Sequence, residues 1–236
     1  MRECFAGRAS LMPAAGFYMW QGKRALDLAL ALSGIVLLSP VLLILAILVR
    51  LNLGAPILFR QERVGTGEKI FRLHKFRTMT NARDAAGRLL PDGERLCAFG
   101  LFLRRWSLDE LPQLFDVMAG RLSLVGPRPL LVRYLPRYTA RQRQRHLVRP
   151  GVTGLAQVSG RNLLSWERRF ELDLFYVQHA SFKLDLMIFV NTIRLFFGSD
   201  TTVATGGRDL EEFWGSEGPP ASGPRAFPAD EVAGAS

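Results

Sequence analysis

The stretch Arg104–Arg128, RRWSLDELPQLFDVMAGRLSLVGPR, brings charge, helix and turn signals together in one short segment. Asp109 and Glu110 form an adjacent carboxylate pair. With Glu110, Ser107 fits a capping box, which would place both carboxylates in the first turn of a helix. The alternative is that Pro112 is the first helical residue and the pair lies just ahead of it. In either case we expect the nearby helix N-terminus to keep Asp109 ionised and to attract an anion such as phosphate.

An acidic first turn is also a common helix-start signal, so the case for catalysis depends on the surrounding sequence. Leu96–Arg105 is predicted to be helical and to deliver the pair. After it, apolar residues recur at helical spacing until Gly120 ends that helix. The tight turn Gly126–Pro129 then holds Arg128 in a fixed place, and an arginine flanked by prolines is suited to clamp a phosphate.

Gly54–Met79 is predicted to form a β-hairpin. Ile57–Phe59 is the first short strand, Gly65–Gly67 supplies the turn, and apolar and charged residues alternate on the return strand. Lys75 and Arg77 are two residues apart, so they share one face if the chain is extended. They form either a solvated edge or a contact to phosphate.

The apolar run Leu28–Val49 would measure about 33 Å as a helix, enough to cross the hydrocarbon core of a membrane. Ser39-Pro40 falls near its middle, where proline bends a helix. Basic residues flank both ends, at Lys23 and Arg50, so the positive-inside rule puts both ends on the cytoplasmic side. We therefore predict a re-entrant membrane helix broken at Ser39-Pro40, although a kinked spanning helix fits the hydropathy equally well.

The 236-residue chain carries a formal net charge of +10, a pI near 10.5 and 48% hydrophobic residues. This composition fits one domain with appendages and an anionic partner: nucleic acid, an anionic membrane leaflet or a phosphorylated substrate. Six arginines fall between Arg133 and Arg149, and we interpret them as a face that rests on anionic lipid headgroups. No nucleic-acid-binding motif accompanies this charge, so we predict no nucleic acid partner. The two cysteines and three histidines lack metal-site spacing, and the cysteines suit a reducing compartment.

The remaining sequence completes a mostly helical α+β fold. Arg149–Gly154 is predicted to be a turn-rich loop. Ser165 begins a helix with one apolar face, and Phe182–Phe197, apolar almost all round, lies either in a membrane interface or in a core. We divide the chain into an amino-terminal segment (1–22), the membrane helix (23–51), a cytoplasmic catalytic domain (52–200) with interfacial helices and a short hairpin, and a tail (201–236) that becomes disordered after Trp214.

An aspartate surrounded by cations suits phosphoryl chemistry. Mg²⁺ is usually held by one or two carboxylates together with substrate phosphates. A carboxylate can also attack phosphorus and form an acyl phosphate, which gives two-step kinetics. The membrane segment suggests that the second substrate is a lipid.

Several long motifs in order give the chain a family resemblance from about Lys23 to about Phe197. They are KRALDLALALSGIVLLSP, FRLHKFRTM, RRWSLDELPQLFDVMAGRLSLVGPRPL, VRPGVTGLAQVSGRN and FELDLFY. The chain resembles the bacterial sugar transferases that are monotopic polyprenyl-phosphate phosphoglycosyltransferases. It is most similar to the small single-domain type, like the enzyme that starts the Campylobacter N-glycan.

The resemblance implies transfer of a sugar 1-phosphate from a UDP-sugar to undecaprenyl phosphate, with release of UMP and with Mg²⁺ as cofactor. This is the first membrane step of glycan assembly, on the cytoplasmic face of the bacterial inner membrane. Asp109 matches the nucleophile that carries the phospho-sugar, and Glu110 matches its partner near the metal. Ser39-Pro40 matches the break of the re-entrant helix. Asp116 stands where many relatives have asparagine, and we expect this difference to be tolerated.

The same resemblance assigns the cations of the site. Arg104 matches a phosphate-binding arginine, while Arg128 and Arg161 match arginines that hold the nucleotide or its diphosphate. Lys75 and Arg77 are added as further substrate contacts. We lean towards an N-acetylated amino sugar as the donor's sugar, and a dimer is one option for the oligomeric state.

Two other functions fit part of the sequence. The first is a non-enzymatic basic module that binds a membrane surface. It predicts that loss of Asp109 is harmless, whereas reversing the charge of Arg137–Arg145 abolishes binding. The second is a membrane-linked phosphohydrolase that uses the same carboxylate pair with water as acceptor.

Overall fold

The computed structural model describes residues 18–160, 163–197 and 212–215. A short π-helical turn, Tyr18–Gly22, leads into the long helix α1, Lys23–Leu53. The elements that follow in the described part of the chain are β1 (Leu58–Val64), β2 (Ile70–Phe76), α2 (Asp92–Arg95), α3 (Ala98–Arg105), α4 (Gln113–Met118), β3 (Ser123–Val125), α5 (Ala140–Arg143), β4 (Gly151–Thr153), α6 (Leu155–Val158), α7 (Trp166–His179) and α8 (Phe182–Phe197). The mostly helical α+β class is confirmed.

The predicted hairpin is present. β1 and β2 pair antiparallel with Leu58 opposite Phe76 and Val64 opposite Ile70, so the first strand is longer than predicted. At the turn, Gly67 adopts a positive φ of 62°, which glycine reaches without a steric cost.

A second small sheet joins β3 to β4 in parallel, with Ser123 opposite Gly151. The sequence had been interpreted as a loop at β4, and that interpretation is wrong. The two chains approach so closely that a Cβ on Gly151 would lie 2.1 Å from the backbone nitrogen of Gly126. The glycines that suggested turns are needed for this close approach.

Helix α1 packs against the rest of the protein at both of its ends. Near its start, the Asp27 carboxylate accepts hydrogen bonds from the Ser123 hydroxyl (2.8 Å) and the Leu124 N–H (3.1 Å). Near its end, Leu45 and Val49 join a core cluster that contains Leu103. Between these ends the apolar side chains are largely exposed, for example Val36 at 66% and Leu37 at 79%.

Within the described residues, α1 is the one helix long and apolar enough to cross a membrane. It runs without interruption through Pro40, and the Ser39 hydroxyl donates to the Val36 carbonyl at 2.8 Å. The predicted helix-break-helix at Ser39-Pro40 is therefore not observed. Proline leaves one carbonyl without its helical donor, but the helix continues on both sides of it. The re-entrant topology stays a prediction.

Helices α7 and α8 differ in how much of their apolar surface is buried. Ser165 caps α7 by accepting from the Arg168 N–H, and Phe170, Leu174 and Val177 are buried as predicted. On α8, Ile188 is fully buried, but a broad apolar surface is exposed at Phe182, Leu186, Met187, Phe189, Val190 and Ile193. Of the two alternatives for α8, exposure at an interface fits this pattern better than a position in the core.

The basic stretch is not the uniform headgroup face that the sequence suggested. Arg145 is 3% exposed and pairs with Asp173, Arg143 pairs with Glu68, and Arg137 pairs with Glu212. For these three arginines the lipid-face interpretation is wrong, because their carboxylate partners come from distant segments that the local sequence does not reveal. Arg141 and Arg149 are exposed.

A short segment near the carboxyl terminus, 212–215, packs against the region around Tyr134 and the start of α7. The Phe213 ring is 2% exposed and lies within 6 Å, centroid to centroid, of Tyr134, Tyr138, Trp166 and Phe170. The segment falls inside the predicted tail, so the tail contains at least one packed piece. The disorder expected after Trp214 concerns residues outside the described ranges, apart from Gly215.

Candidate active site

Asp109 and Glu110 lie in a 3₁₀ turn, Leu108–Glu110, between α3 and α4. The predicted capping box is wrong, because Ser107 adopts the left-handed conformation (φ 48°) and its side chain caps nothing. The Ser107 carbonyl, not its hydroxyl, accepts from the Glu110 N–H, at 3.1 Å. The other prediction is closer: Pro112 is the N-cap residue of α4, and the pair lies just ahead of it.

The Glu110 carboxylate is held by two cations. One of its oxygens, Oε1, accepts from Lys75 Nζ at 2.5 Å and from Arg128 Nη2 at 3.0 Å. Burial would raise the pKa of Glu110, but the charges of Arg128 and Lys75 outweigh it and hold this pKa well below its usual range. Glu110 is therefore a fixed anion.

The Asp109 carboxylate has a different environment, and its pKa shifts in the opposite direction. It is 8% exposed, and no hydrogen bond to it is found within the described part of the chain. Burial raises the pKa of Asp109 to about 6, with a further contribution from Glu110, while Lys75, Arg104 and Arg128 oppose the rise. The sequence predicts that a helix start lowers the pKa of Asp109, and this prediction is wrong. Helix α4 has only one to two turns, and desolvation of the carboxylate, which raises the pKa, dominates. Asp109 is still mostly ionised at pH 7, because that pH lies above its pKa.

Arg128 reaches Glu110 from the turn Gly126–Pro129, as the sequence indicated. Glu110 raises the pKa of Arg128, so its positive charge is secure. Arg104 donates from Nε to the Thr78 hydroxyl at 2.9 Å, and its charge also acts on Asp109.

One predicted cation, Arg77, does not join the cluster, and another falls outside the described residues. Arg77 follows the end of β2, is 5% exposed and donates to the Ala55 carbonyl at 2.7 Å, just after α1. The structure therefore does not bring Arg77 to the carboxylates. Arg161 lies outside the described residues.

Sequence reasoning missed Arg63. This side chain lines a cleft together with Lys75 and Arg128, and the cleft also includes Leu73, Gln113, Pro129 and Gly151. Burial and then repulsion by Arg128 lower the pKa of Arg63 to about 10. The signal was available in the hairpin register, since Arg63 pairs with Phe71 and alternation places Phe71 on the same face as Lys75.

Asp116 has a structural place. It is fully buried and accepts from the His74 N–H at 2.9 Å and from Arg121 Nη2 at 2.8 Å. Asp116 thus connects β2 to the end of α4. Neither Asp109 nor Glu110 takes part in these hydrogen bonds. The expectation that aspartate is tolerated at this position stays a prediction.

The donor set fits Mg²⁺ only when substrate completes it. Among the described residues, no group of three or more histidine, cysteine, aspartate or glutamate side chains forms a metal site. Asp109 and Glu110 offer two adjacent carboxylates, of which Asp109 has its oxygens free of hydrogen bonds. This is the number of carboxylates that commonly holds Mg²⁺ together with substrate phosphates.

Comparison with known proteins identifies the family. The sequence profile described as bacterial sugar transferase matches residues 18–199. The chain belongs to the bacterial sugar transferase family. The match includes α1, the carboxylate turn and α8, and it ends before the docked segment 212–215.

Three relatives illustrate the range of this sugar transferase family. The sugar transferase EpsL of Bacillus subtilis (strain 168) is 50% identical over 194 residues, covering 82% of this chain and 96% of EpsL. The UDP-glucose:undecaprenyl-phosphate glucose-1-phosphate transferase of Xanthomonas campestris pv. campestris is 37% identical over 196 residues, 78% of this chain and 40% of that protein. The UDP-N-acetylgalactosamine-undecaprenyl-phosphate N-acetylgalactosaminephosphotransferase of Aeromonas hydrophila is 37% identical over 180 residues, 73% of this chain and 43% of that protein. The chain thus spans about two fifths of these two longer relatives.

Proposed function

We propose that this protein transfers a sugar 1-phosphate from a UDP-sugar to undecaprenyl phosphate and releases UMP, with Asp109 as the nucleophile. The names of the Xanthomonas and Aeromonas relatives support the reaction class. The observation that carries the assignment of residues is the contrast between the two adjacent carboxylates. Glu110 is fixed by two cations, whereas Asp109 is buried, accepts no hydrogen bond from the described residues and has a raised pKa.

This contrast suits a division of roles. A carboxylate without hydrogen bonds is poorly solvated and is therefore a stronger nucleophile than one that is clamped. A carboxylate held by Lys75 and Arg128 keeps those cations in place, where they stabilise charge on the phosphates of the donor. Neighbouring carboxylates with pKa values pushed apart commonly have different functions in one site.

In the first step, an Asp109 oxygen attacks the phosphorus that carries the sugar. The bond from that phosphorus to the bridging oxygen breaks, and its electron pair leaves with UMP. Asp109 then holds an acyl phosphate that bears the sugar. Arg128, Lys75 and Arg104 offset the repulsion between the anionic carboxylate and the anionic diphosphate.

In the second step, a phosphate oxygen of undecaprenyl phosphate attacks the same phosphorus. The acyl phosphate bond breaks, Asp109 returns to a carboxylate, and the lipid diphosphate sugar is the product. Asp109 and Glu110 would hold Mg²⁺ together with the substrate, and the ion would supply positive charge against the phosphate oxygens.

The packing of α1 supports a monotopic arrangement on the cytoplasmic face of the inner membrane. Both ends of α1 contact the same globular body, at Asp27 with Ser123 and at Val49 in the cluster of Leu103, while its middle exposes apolar side chains. A helix that carried one end across the membrane would separate those two contacts by the bilayer. Such an arrangement would keep the proposed chemistry near the headgroups, where the lipid phosphate lies.

The test is UMP release by purified protein in lipid nanodiscs with Mg²⁺ and a panel of UDP-sugars, with and without undecaprenyl phosphate. We expect lipid-dependent UMP release with one donor and an intact-mass increase on Asp109 when the lipid is absent. Water-dependent release of free sugar phosphate would identify a phosphohydrolase instead. Release of UMP without any adduct at Asp109 in a trapped sample would contradict the covalent route.

The sugar is the finer part of the proposal. We propose an N-acetylated amino sugar, and the names of relatives include galactose, glucose and N-acetylgalactosamine. The same panel decides, because a preference for UDP-glucose or UDP-galactose over the N-acetylated donors would contradict this choice.

A further inference from the structure

The turn that carries Arg128 is held by hydrogen bonds to four consecutive carbonyl groups. The Pro127 carbonyl accepts from the Gly151 N–H at 3.0 Å, and the Leu130 carbonyl accepts from the Val64 N–H at 3.2 Å. Between them, the Arg128 carbonyl accepts from Arg145 Nη2 at 2.7 Å, and the Pro129 carbonyl accepts from Arg63 Nη1 at 3.3 Å. The two inner contacts are made by side chains, and the one from Arg145 is the shorter.

Arg145 is itself fixed by a buried ion pair. Its Nε and Nη2 donate to the same oxygen of Asp173, at 3.0 and 2.7 Å, and the two residues are 3% and 4% exposed. Asp173 lies on α7, far from the carboxylate turn in sequence. The Arg145 guanidinium therefore connects α7 to the backbone of Arg128, the residue that donates to Glu110.

Stability alone does not explain why this pair is buried. Taking two charges out of water costs about as much as their attraction returns, and apolar residues of similar volume often replace a buried pair without loss of stability. What apolar residues cannot supply is the hydrogen bond to the Arg128 carbonyl. That bond fixes the position from which the Arg128 side chain reaches Glu110 at 3.0 Å.

We propose that Arg145 and Asp173 are positioning residues, a buried ion pair that holds the Arg128 backbone so that its guanidinium stays on Glu110 and on the substrate phosphates. The part about substrate rests on the proposed function, whereas the part about the turn does not. A displacement of about 1 Å at such a group costs up to about a hundredfold in rate.

The first measurement is independent of activity. The variant Arg145→Met/Asp173→Leu replaces the pair with apolar side chains. We expect amide hydrogen exchange at Gly126 and Gly151, whose N–H groups donate to the Thr153 and Pro127 carbonyls, to become about tenfold faster or more while β2 and α7 keep their protection. The matched control is Arg168→Gln/Glu171→Gln, which removes an exposed ion pair on the same helix. Unchanged exchange at Gly126 and Gly151 of the folded variant would overturn the proposal, whatever reaction the protein catalyses.

The second measurement is a double-mutant cycle on UMP release. We expect the apolar pair to lower kcat/KM by about 10- to 100-fold in the wild-type background. In an Arg128→Ala background the same replacement should change kcat/KM by less than about twofold, because the group being positioned is gone. Equal losses in both backgrounds would mean that the pair supports the fold in general and would overturn its positioning role.

A conservative variant covers the case in which the apolar pair fails to fold. Arg145→Lys keeps a charge beside Asp173, but a single ammonium group lacks the fork that reaches both the carboxylate and the Arg128 carbonyl. We expect Arg145→Lys to fold and to show the same faster exchange at Gly126 and Gly151. A folded Arg145→Lys with wild-type exchange would contradict the proposal.

Discussion

At the scale of single residues, the site depends on how differently two neighbouring carboxylates are surrounded. Glu110 receives two cations on one oxygen, and Asp109 receives none of these hydrogen bonds although the same cations lie nearby. Ser107, which precedes the 3₁₀ turn between α3 and α4, adopts the left-handed conformation. A residue other than glycine in that conformation costs about 1 kcal/mol, which the surrounding packing must offset.

Replacing the nucleophile should separate activity from folding. We expect Asp109→Asn to lower UMP release at least about a thousandfold, because an amide does not form the acyl phosphate. The folded pKa of Asp109 is raised to about 6, so its contribution to stability is present at low pH and is lost as pH rises through 6. At pH 7 the variant should therefore melt at the same or a higher temperature. Calorimetry and UMP assays check both parts.

The control for this variant is Glu94→Gln, which removes one exposed carboxylate from α2. It should change neither UMP release nor melting. An Asp109→Asn protein that is folded and active would remove Asp109 from the mechanism.

His146 makes stability depend on pH. It is 5% exposed, its Nε2 has no partner in the described structure, and burial followed by repulsion from Arg145 and Arg143 lowers its pKa to about 3. The unfolded chain takes up this proton near pH 6.5 and the folded one does not, so stability is full above 6.5 and is lost as pH falls. The loss attributable to His146 is about 3 kcal/mol at pH 4.

The variant His146→Gln isolates this effect, since glutamine does not titrate. Denaturant unfolding between pH 4 and 7 should show a shallower pH dependence for the variant than for the wild type. Carboxylates contribute equally to both proteins and cancel in the difference. If the free energies of unfolding of the two proteins depended on pH in parallel, His146 would be protonated in the folded protein as it is in the unfolded chain.

At the scale of elements, α1 provides the sharpest test of topology. In a cysteine-free background, single cysteines at the exposed positions Gln21 and Asn52 mark the two ends of the helix. We expect a membrane-impermeant maleimide to label both in inside-out vesicles and neither in right-side-out vesicles, because both ends pack on one globular body. Labelling of the two positions from opposite sides would establish a spanning helix.

Periodicity and local turn signals predicted the elements that are local in sequence. The apolar run of α1, the β1–β2 hairpin, the Gly120 end of α4 and the Ser165 cap of α7 all appear near their predicted bounds. The β3–β4 pair was not predicted, because its strands are only three residues long. The glycines there are typical of a loop as long as the partner strand is unknown.

In the candidate site, too, the parts that lie on locally determined elements were predictable from the sequence. Lys75, Arg128 and the carboxylate pair come together as expected, because each sits on a locally determined element. Arg145 was assigned to a surface, since nothing near it in sequence points to Asp173. The raised pKa of Asp109 was also beyond reach, because it depends on burial by several distant segments.

At the scale of the whole molecule, the docked segment 212–215 completes an aromatic core. Phe213→Ala would leave a cavity among Tyr134, Tyr138 and Phe170, and we expect a loss of about 3–5 kcal/mol in the free energy of unfolding. Trp214→Ala is the matched control, because Trp214 is 41% exposed and should cost much less. Denaturant unfolding followed by tryptophan fluorescence of each protein measures the difference. Equal losses would mean that Phe213 is not anchored in solution.

The contacts of α1 also determine when the protein can finish folding. This helix leaves the ribosome early, yet Lys23 near its start pairs with Asp185 and Asp27 binds Ser123, residues that are synthesised much later. Synthesis proceeds from the amino terminus, so α1 meets the membrane before its polar partners exist. On the proposed membrane placement of α1, the part of the chain that follows it must complete its core on a helix that is already inserted. On that placement, a cell that delays insertion would accumulate a chain with an unfilled core.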